Sequence, residues 1–586
     1  MSDAILDFLN TGRMLGSVNF THIVLIPKVA SPESMTHFRP ISLCNVLYKI
    51  ASKVLVNRMK NILPQVISDI QNAFVPGRMI TDNVIVAFET IHHLKNLRTG
   101  NNIQMAAKLD MSKAYDRVEW DYLQAIMLKL GFYEKWVGLI MACVTTATYA
   151  IMVNGEPRGY VKPSRGLRQG DPLSPYLFLQ CAEGLSALLI KAERDSLIRG
   201  VSICRGGPRI SHLFFADDSI VFCRVTNDEC VALQNILELY AAASGQVVNS
   251  AKTALFFSYN TPQQVRNSIC SMFGTSMTTQ FEKYLGLPPV VGRAKRRAFN
   301  DIKDRVGRKL QGWKEKLLSQ ASREVLIKAI IQAIPTYAMS CFKFPTGLCA
   351  ELSALANKFW WGQRGGEWKI HWLSKAKLIR PKNEGGIRFR DLQLFNSALL
   401  AKQGWRLLQQ PSSLVCKVLK AKYFPQTSFL ESAIPGNASF IWRSICAAKG
   451  VLTQGLRWRV GNGEKIKIWK DKWLPSPHTY KIVSPNKILD VEATVDKLMC
   501  GDDMRWNTDL VHQIFLPHEV EVILSIPLSQ RKPKDVLIWA GTKKGVFSVK
   551  SAYRMLLDLS HVSEASSSAS VGYDSQLWKT IWSATV

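Results

Sequence analysis

The sequence predicts a mixed α+β chain that passes into a mainly helical, tryptophan-rich C-terminal extension. Three observations carry that expectation. Residues 23–290 interleave short apolar runs of strand character with amphipathic helices. Between Arg293 and Lys328 the chain turns basic, with twelve Lys or Arg against four Asp or Glu. Thirteen of the sixteen Trp lie beyond residue 350.

The elements follow in order. Residues 1–22 read as a linker or helix tail without a core of its own. Residues 43–63 have helical spacing, with Leu47, Ile50 and Val54 on one side, and residues 80–97 repeat that pattern. Residues 122–143 read as a helix pair with Gly131 as the stop. Residues 149–153 alternate and run into Asn154-Gly155, a strong hairpin-turn signal. Residues 175–193 are helical and apolar on one face. The stretch 291–345 forms a basic amphipathic segment through Ile302, Val306, Leu310, Trp313, Leu317, Val325 and Ile327. It serves either as the solvated face of a bundle or as a grip on a nucleic-acid backbone. The Trp-rich stretch spans 346–510. Interleaved Trp and Arg can stack on unpaired bases for about 1–3 kcal/mol per base, but buried core Trp is the commoner use. Residues 560–575 are Ser-rich and read as a linker.

With 586 residues, three or four domains are expected. The net charge of +30 implies a polyanionic partner, since each neutralised phosphate releases condensed counterions. No apolar run of membrane-spanning length stands in the sequence, and no signal architecture opens it. The expected setting is intracellular, nuclear or cytoplasmic, with no membrane partner. Twelve scattered cysteines without a Cys-x-x-Cys pair argue against a disulfide scaffold and against a zinc site.

The chemistry is concentrated in acid. Ser211 to Phe222 places Asp217-Asp218 between two apolar runs, a β-hairpin with carboxylates at its tip. A solvated turn is the plain alternative, because Asp is common in turns. Asp110 lies in a similar setting, just after the apolar stretch from Met105. Three converging carboxylates can hold two divalent cations, the usual clamp for in-line displacement at phosphorus.

These residues carry a family resemblance. Phe215-Ala216-Asp217-Asp218 resembles the catalytic box of reverse transcriptases. The neighbouring blocks resemble those of plant non-LTR (LINE-type) retrotransposon polymerases. They run in order from Leu25-Ile26-Pro27-Lys28 and Phe38-Arg39-Pro40-Ile41-Ser42-Leu43 to Asn72-Ala73-Phe74-Val75-Pro76-Gly77-Arg78 and the Asp110 block. Arg165 to Pro175, the Asp217 block, Ala243 to Thr253 and Tyr284-Leu285-Gly286-Leu287-Pro288 complete the series. The match is dense to about residue 290 and looser beyond.

The resemblance implies a right-hand polymerase: fingers and palm over 23–290, a thumb over 291–345, then the Trp-rich region. Residues 511–586 resemble the start of the family's zinc-binding region, and the chain ends before a Cys/His cluster. No endonuclease precedes residue 23, so the chain is expected to be a piece of a larger element. The implied activity is RNA-directed DNA synthesis on an RNA template from a DNA primer with dNTPs. Asp110, Asp217 and Asp218 are the implied ligands of two Mg²⁺ ions, with Mn²⁺ as the substitute ion. Tyr115 is the implied steric gate against a 2′-hydroxyl. Gln169 and Gly170 present backbone to nucleotide and template, and Arg78 and Lys252 stand near the triphosphate and the leaving pyrophosphate. Arg168 is either a phosphate contact or a surface residue, and Tyr284-Leu285-Gly286 resembles the primer-grip hairpin. The alternative is a catalytically silent RNA-binding remnant, or a maturase-like RNA-binding protein using the same surfaces.

Overall fold

The computed structural model describes residues 2–279, 283–292, 294–312, 318–362, 370–475, 479–486, 488–500 and 504–565. Two compact units divide it. Unit 1 comprises 1–291 with 411–425, and unit 2 comprises 292–410 with 426–586.

Unit 1 is built on two sheets. Its strands are β1 (Phe20–Pro27), β2 (Phe38–Leu43), β3 (Gln104–Leu109), β4 (Thr148–Val153), β5 (Glu156–Val161), β6 (Val201–Ser202), β7 (Arg209–Ile210), β8 (His212–Phe215), β9 (Asp218–Arg224), β10 (Ala254–Phe257) and β11 (Ser276–Met277). One sheet has the order β2-β1-β4-β5 and the other β11-β10-β3-β9-β8. β4 and β5 turn back at Asn154 and Gly155, both at positive φ (52° and 86°), as the Asn-Gly pair predicts. β3 lies between β10 and β9, antiparallel to both. Its residues Gln104 to Ala107 and Leu109 are buried, so it reads as an apolar run rather than an alternating strand.

Helices cover the second sheet. Ser174–Arg194 buries Leu185 and Leu189 in one cluster with Met105, Leu109, Phe214 and Val221. Ile80–Asn96 is buried along most of its length, polar Asp82, Asn83, Glu89 and Thr90 included. The helix pair is found at Trp120–Lys129 and Glu134–Thr145, with Gly131 at φ 88° between them. The first segment is more than a linker. Ser2–Thr11 is a helix whose Phe8 is buried in the cluster of Tyr48, Leu55 and Met59. The spacing Ile5, Phe8, Leu9 supplies the apolar face.

Unit 2 is mainly helical. Asn300–Gln311 buries Ile302, Val306 and Leu310, the face the periodicity predicts. Trp313 and Leu317 of that pattern lie outside the described residues. Longer helices follow at Thr346–Trp361, Leu392–Gln409 and Val549–Ala565. Trp405, Trp442, Trp473, Trp506 and Trp539 are buried, which assigns them to cores rather than to a stacking surface. Trp372, in contrast, is exposed. The expected Ser-rich linker is helical as far as Ala565, and its remainder lies outside the described residues. So does 566–586, the end of the stretch resembling a zinc-binding region. Among the described residues no helix is long and apolar enough to cross a membrane.

Candidate active site: a carboxylate hairpin and its frame

The site begins with a turn. In the β8–β9 hairpin Phe215 pairs with Asp218, so Ala216 and Asp217 form the two-residue connection. Ala216 sits at φ 53°, a conformation that L-residues avoid and Gly normally fills. The strain is held by Gln71, whose Oε1 accepts from the N–H of Ala216 (3.1 Å) and of Ala73 (3.0 Å). Two residues earlier, on β8, Asn83 Nδ2 donates to Phe214 O at 2.9 Å, and Asn72 N–H donates to the same oxygen at 3.2 Å. The segment 70–83 thus clamps the hairpin from its outer edge.

β3 brings the third carboxylate. Leu109 pairs with Ser219, so the next position, Asp110, continues the register toward Asp218. The chain beyond is fixed by a strap. Asn249 N–H donates to Asp110 O (2.8 Å), Ser112 N–H to Val247 O (2.8 Å), and Gln246 Nε2 to Ala114 O (2.8 Å). That strap carries Lys252, whose Nζ lies 3.7 Å from Asp110 Oδ2. Burial pushes the Asp218 carboxyl above its ordinary range. The neighbouring charges of Asp217 and Asp110 push the same way, against Lys108. The three acids therefore share one electrostatic neighbourhood. Among the described residues no group of three or more His, Cys, Asp or Glu is closed tightly enough to hold a metal ion.

Tyr115 stands beside them. Its ring lies nearly parallel to Phe178, 5.2 Å between centroids. Burial, then the charge of Asp217, raises its hydroxyl to about 12, so it is a neutral phenol. Its carbonyl accepts from Leu167 N–H at 2.7 Å, which ties it to the 165–171 loop. In that loop Gly166 (φ 91°) and Gly170 (φ 104°) are both obligatory. A Cβ would meet Asp116 O at 2.8 Å in the first and Ser42 O at 2.9 Å in the second. The close approach that Gly170 permits is thus to β2, reinforced by Ser42 N–H donating to Gln169 O at 2.7 Å. Burial raises the Asp116 carboxyl, while Lys113, Lys28 and a hydrogen bond with Gln169 oppose it.

Two arginines are held by groups of the protein itself. Arg78, expected near the triphosphate, has its guanidinium engaged with backbone. Its guanidinium donates to the carbonyls of Ser68 (2.5 Å), Gln71 (2.7 Å) and Ile67 (2.7 Å), so it braces the clamp that carries Gln71. Arg168 is neither a phosphate contact nor a surface residue. It is buried, 3.2 Å from Asp171, donates to Asn19 Oδ1 and Cys143 O, and lies 4.1 Å over the Tyr48 ring. Tyr48 completes the group by donating to Asp171 at 2.6 Å. Both orders follow from desolvation, since a buried guanidinium needs acceptors for its donors.

Tyr284-Leu285-Gly286-Leu287 forms a tight turn. Tyr284 and Leu287 exchange both backbone hydrogen bonds, with Leu285 and Gly286 at positive φ. The Tyr284 ring is buried, and Asn83 Nδ2 lies 3.4 Å from its hydroxyl. Gln71, Asn83 and Gln246 were not legible as site residues in the sequence. Gln71 adjoins the Asn72–Arg78 block, Gln246 lies within the Ala243–Thr253 block, and Asn83 is a polar interruption in an apolar helix; nothing in the sequence singles out their roles.

Comparisons with known proteins bear on the family of the chain. Residues 26–288 match the family described as reverse transcriptase (RNA-dependent DNA polymerase). An Arabidopsis thaliana protein named as a ribonuclease H protein, At1g65750, is 31% identical over 274 residues, 46% of this chain and 44% of that one. The uncharacterized Arabidopsis mitochondrial protein AtMg00310 is 41% identical over 143 residues, 24% of this chain and 93% of its own length. The Pol polyprotein of the R2 retrotransposable element of Nasonia vitripennis is 28% identical over 219 residues, 36% of this chain and 20% of that one. The chain thus spans less than half of the longer relatives it matches. A telomerase structure from Candida tropicalis aligns at TM-score 0.35 and 12% identity, over 77% of this chain and 68% of that one. That likeness carries no argument. The sequence matches do: the chain carries a reverse-transcriptase-like domain related to non-LTR, LINE-type retrotransposon Pol proteins, and it belongs to one family with AtMg00310.

Proposed function

We propose that the chain is an RNA-directed DNA polymerase of LINE-type retrotransposon origin, adding dNTPs to a primer 3′-hydroxyl on an RNA template. The observation that carries this reading is the meeting of Asp110 with the Asp217-Asp218 turn across paired strands β3 and β9. Asp110, Asp217 and Asp218 are the residues that would hold Mg²⁺. The donor set fits that ion: all are hard carboxylate oxygens, carried to one place by the β3–β9 register and the β8–β9 turn. When bound, two such ions activate the hydroxyl and neutralise the leaving phosphates.

The chain's own residues supply position. Gln71 and Asn83 fix the strained turn, and the Val247–Asn249 strap fixes the backbone at Asp110. Tyr115, backed by Phe178, offers a rigid face for the incoming sugar. Gln169 and Gly170 form the adjoining backbone wall. Lys252, its Nζ 3.7 Å from Asp110 Oδ2, is suited to a phosphate that enters between them. In this reading 23–290 is fingers and palm and 291–345 is the thumb.

The second reading is a catalytically silent RNA-binding protein, a remnant or a maturase-like helper. It is favoured by the unclosed carboxylate group together with the net charge of +30. Extension of a labelled DNA primer on an RNA template by the full chain, with dNTPs and Mg²⁺ or Mn²⁺, separates the two. A ladder that disappears on adding EDTA supports the polymerase. No ladder with either ion, alongside salt-sensitive RNA binding, overturns it in favour of the second reading.

A further inference from the structure

Unit 2 contains a cavity of about 840 Å³ that the polymerase reading leaves unused. Its walls are the π-helical turn Ile327–Ile331 with Gln332, the stretch 379–399, and the first turns of Val549–Ala565. The volume lies within the range of small-ligand sites. The lining is basic, with Lys328, Arg388, Arg390, Lys550 and Arg554 against Glu384 and Asp558. Lys328 is committed to Glu324 at 2.5 Å. Arg388, Lys550 and Arg554 form no ion pair among the described residues.

Two further features narrow the ligand. One wall is aromatic: Phe395 and Tyr553 meet edge to face at 5.9 Å, and the Arg390 guanidinium lies 4.5 Å over Phe395. The Tyr553 hydroxyl accepts from Asp391 N–H at 2.7 Å, so its own proton is directed elsewhere. Gln332, which also lines the cavity, is 4% exposed and its Oε1 has no hydrogen-bond partner. A buried acceptor left unmatched is costly, and this one stands where the π turn, often a mark of function, ends. The cavity therefore asks for an anion, a flat apolar body and a hydrogen-bond donor in one ligand. A ribonucleotide unit combines all three. A phosphopeptide brings no planar base, and deoxyribose has no 2′-hydroxyl to donate.

We propose that this cavity binds one nucleotide of single-stranded RNA, its phosphates on Arg388, Lys550 and Arg554, its base against Phe395 and Tyr553, and a sugar hydroxyl donating to Gln332. The inference rests on the reading of the chain as one that handles RNA.

The test is fluorescence anisotropy of labelled U12 RNA and its 2′-deoxy counterpart with the full chain, without dNTPs or divalent ions. K550E/R554E, on one exposed face of a helix, is expected to weaken U12 binding about tenfold or more. K543E/K544E makes the same charge change on lysines outside the cavity lining and is expected to cost less than about threefold. Q332L is expected to remove the parent's preference for RNA over the deoxy strand. Equal losses from the two charge-reversal pairs overturn the proposal, because binding is then diffuse. Equal affinity of the parent for both strands overturns the assignment to RNA. Should K550E/R554E fail to fold, Q332L decides alone: a retained RNA preference overturns the proposal. A chain that binds U12 through the cavity yet extends no primer refutes only the polymerase reading. A chain that extends primer while K550E/R554E binds like the parent refutes only the cavity.

Discussion

At the residue scale, Tyr115 is held from one side by Phe178 and from below by its own backbone bond to Leu167. A ring so fixed discriminates by shape. Tyr115→Val is expected to lower the preference for dNTP over rNTP by about 10–200-fold, the range for rejecting one small group, read as the ratio of kcat/KM values. An unchanged ratio would leave Tyr115 as core packing. His212 gives a separate expectation. It is buried, with Ser186 Oγ at 2.9 Å from Nε2 and Ser211 Oγ at 3.1 Å from Nδ1. Burial lowers its pKa from 6.5 to about 3. The unfolded chain therefore binds a proton that the folded one refuses, and stability falls as pH drops through the window between those values. From pH 6.5 to 5 the loss is about 2 kcal/mol at most. Urea denaturation at both pH values should show that loss in the parent and a flatter response in His212→Gln. The acids at the tip were legible because a local pattern, apolar run, Asp-Asp, apolar run, announces a strand-turn-strand. Gln71 and Asn83 were not, because their partners lie 145 and 131 residues away and leave no local trace. Arg168 misled for the same reason: an Arg in a sequence block does not reveal whether its partners are phosphates or buried protein groups.

At the element scale, the 165–171 loop depends on two glycines pressed against other backbone. Gly166→Ala adds a Cβ 2.8 Å from Asp116 O at φ 91°. It is expected to cost about 1–3 kcal/mol and to lower the thermal midpoint. A neutral result would show that the loop relaxes freely. The helix Leu414–Tyr423, which returns to unit 1, is anchored on a fully buried carboxylate. Lys422 Nζ and the Tyr423 hydroxyl both lie 2.9 Å from Glu89 Oε2. Lys422→Met leaves that charge short of a partner and is expected to cost about 3–5 kcal/mol in chemical denaturation. Glu89→Gln in the same background should recover part of it. Helices and the Asn154-Gly155 hairpin were legible from periodicity and turn chemistry. The return of 411–425 was not, since its anchor is a contact across more than three hundred residues. The Trp-rich stretch carried two readings, and burial of Trp360, Trp405, Trp442, Trp473 and Trp506 assigns those five to core packing.

At the scale of the whole molecule, the charge of +30 makes affinity for RNA a salt-dependent quantity. A chain that neutralises six to ten phosphates of a duplex is expected to lose about 10³–10⁵ in affinity between 50 and 200 mM salt. A shallow dependence would argue that the excess charge serves solubility alone. The sequence carried the family in its ordered blocks and the charge in its composition. It did not carry the cavity of unit 2, because Gln332, Phe395 and Tyr553 come together only in the folded unit. The central claim is that Asp110, Asp217 and Asp218 form a working polymerase centre. Primer extension on an RNA template by the parent chain beside D217A/D218A tests it most directly. The account expects a Mg²⁺-dependent ladder from the parent and none from the variant, with both proteins folded and binding RNA. Extension that survives in the variant, or is absent from both while RNA binding persists, would contradict it.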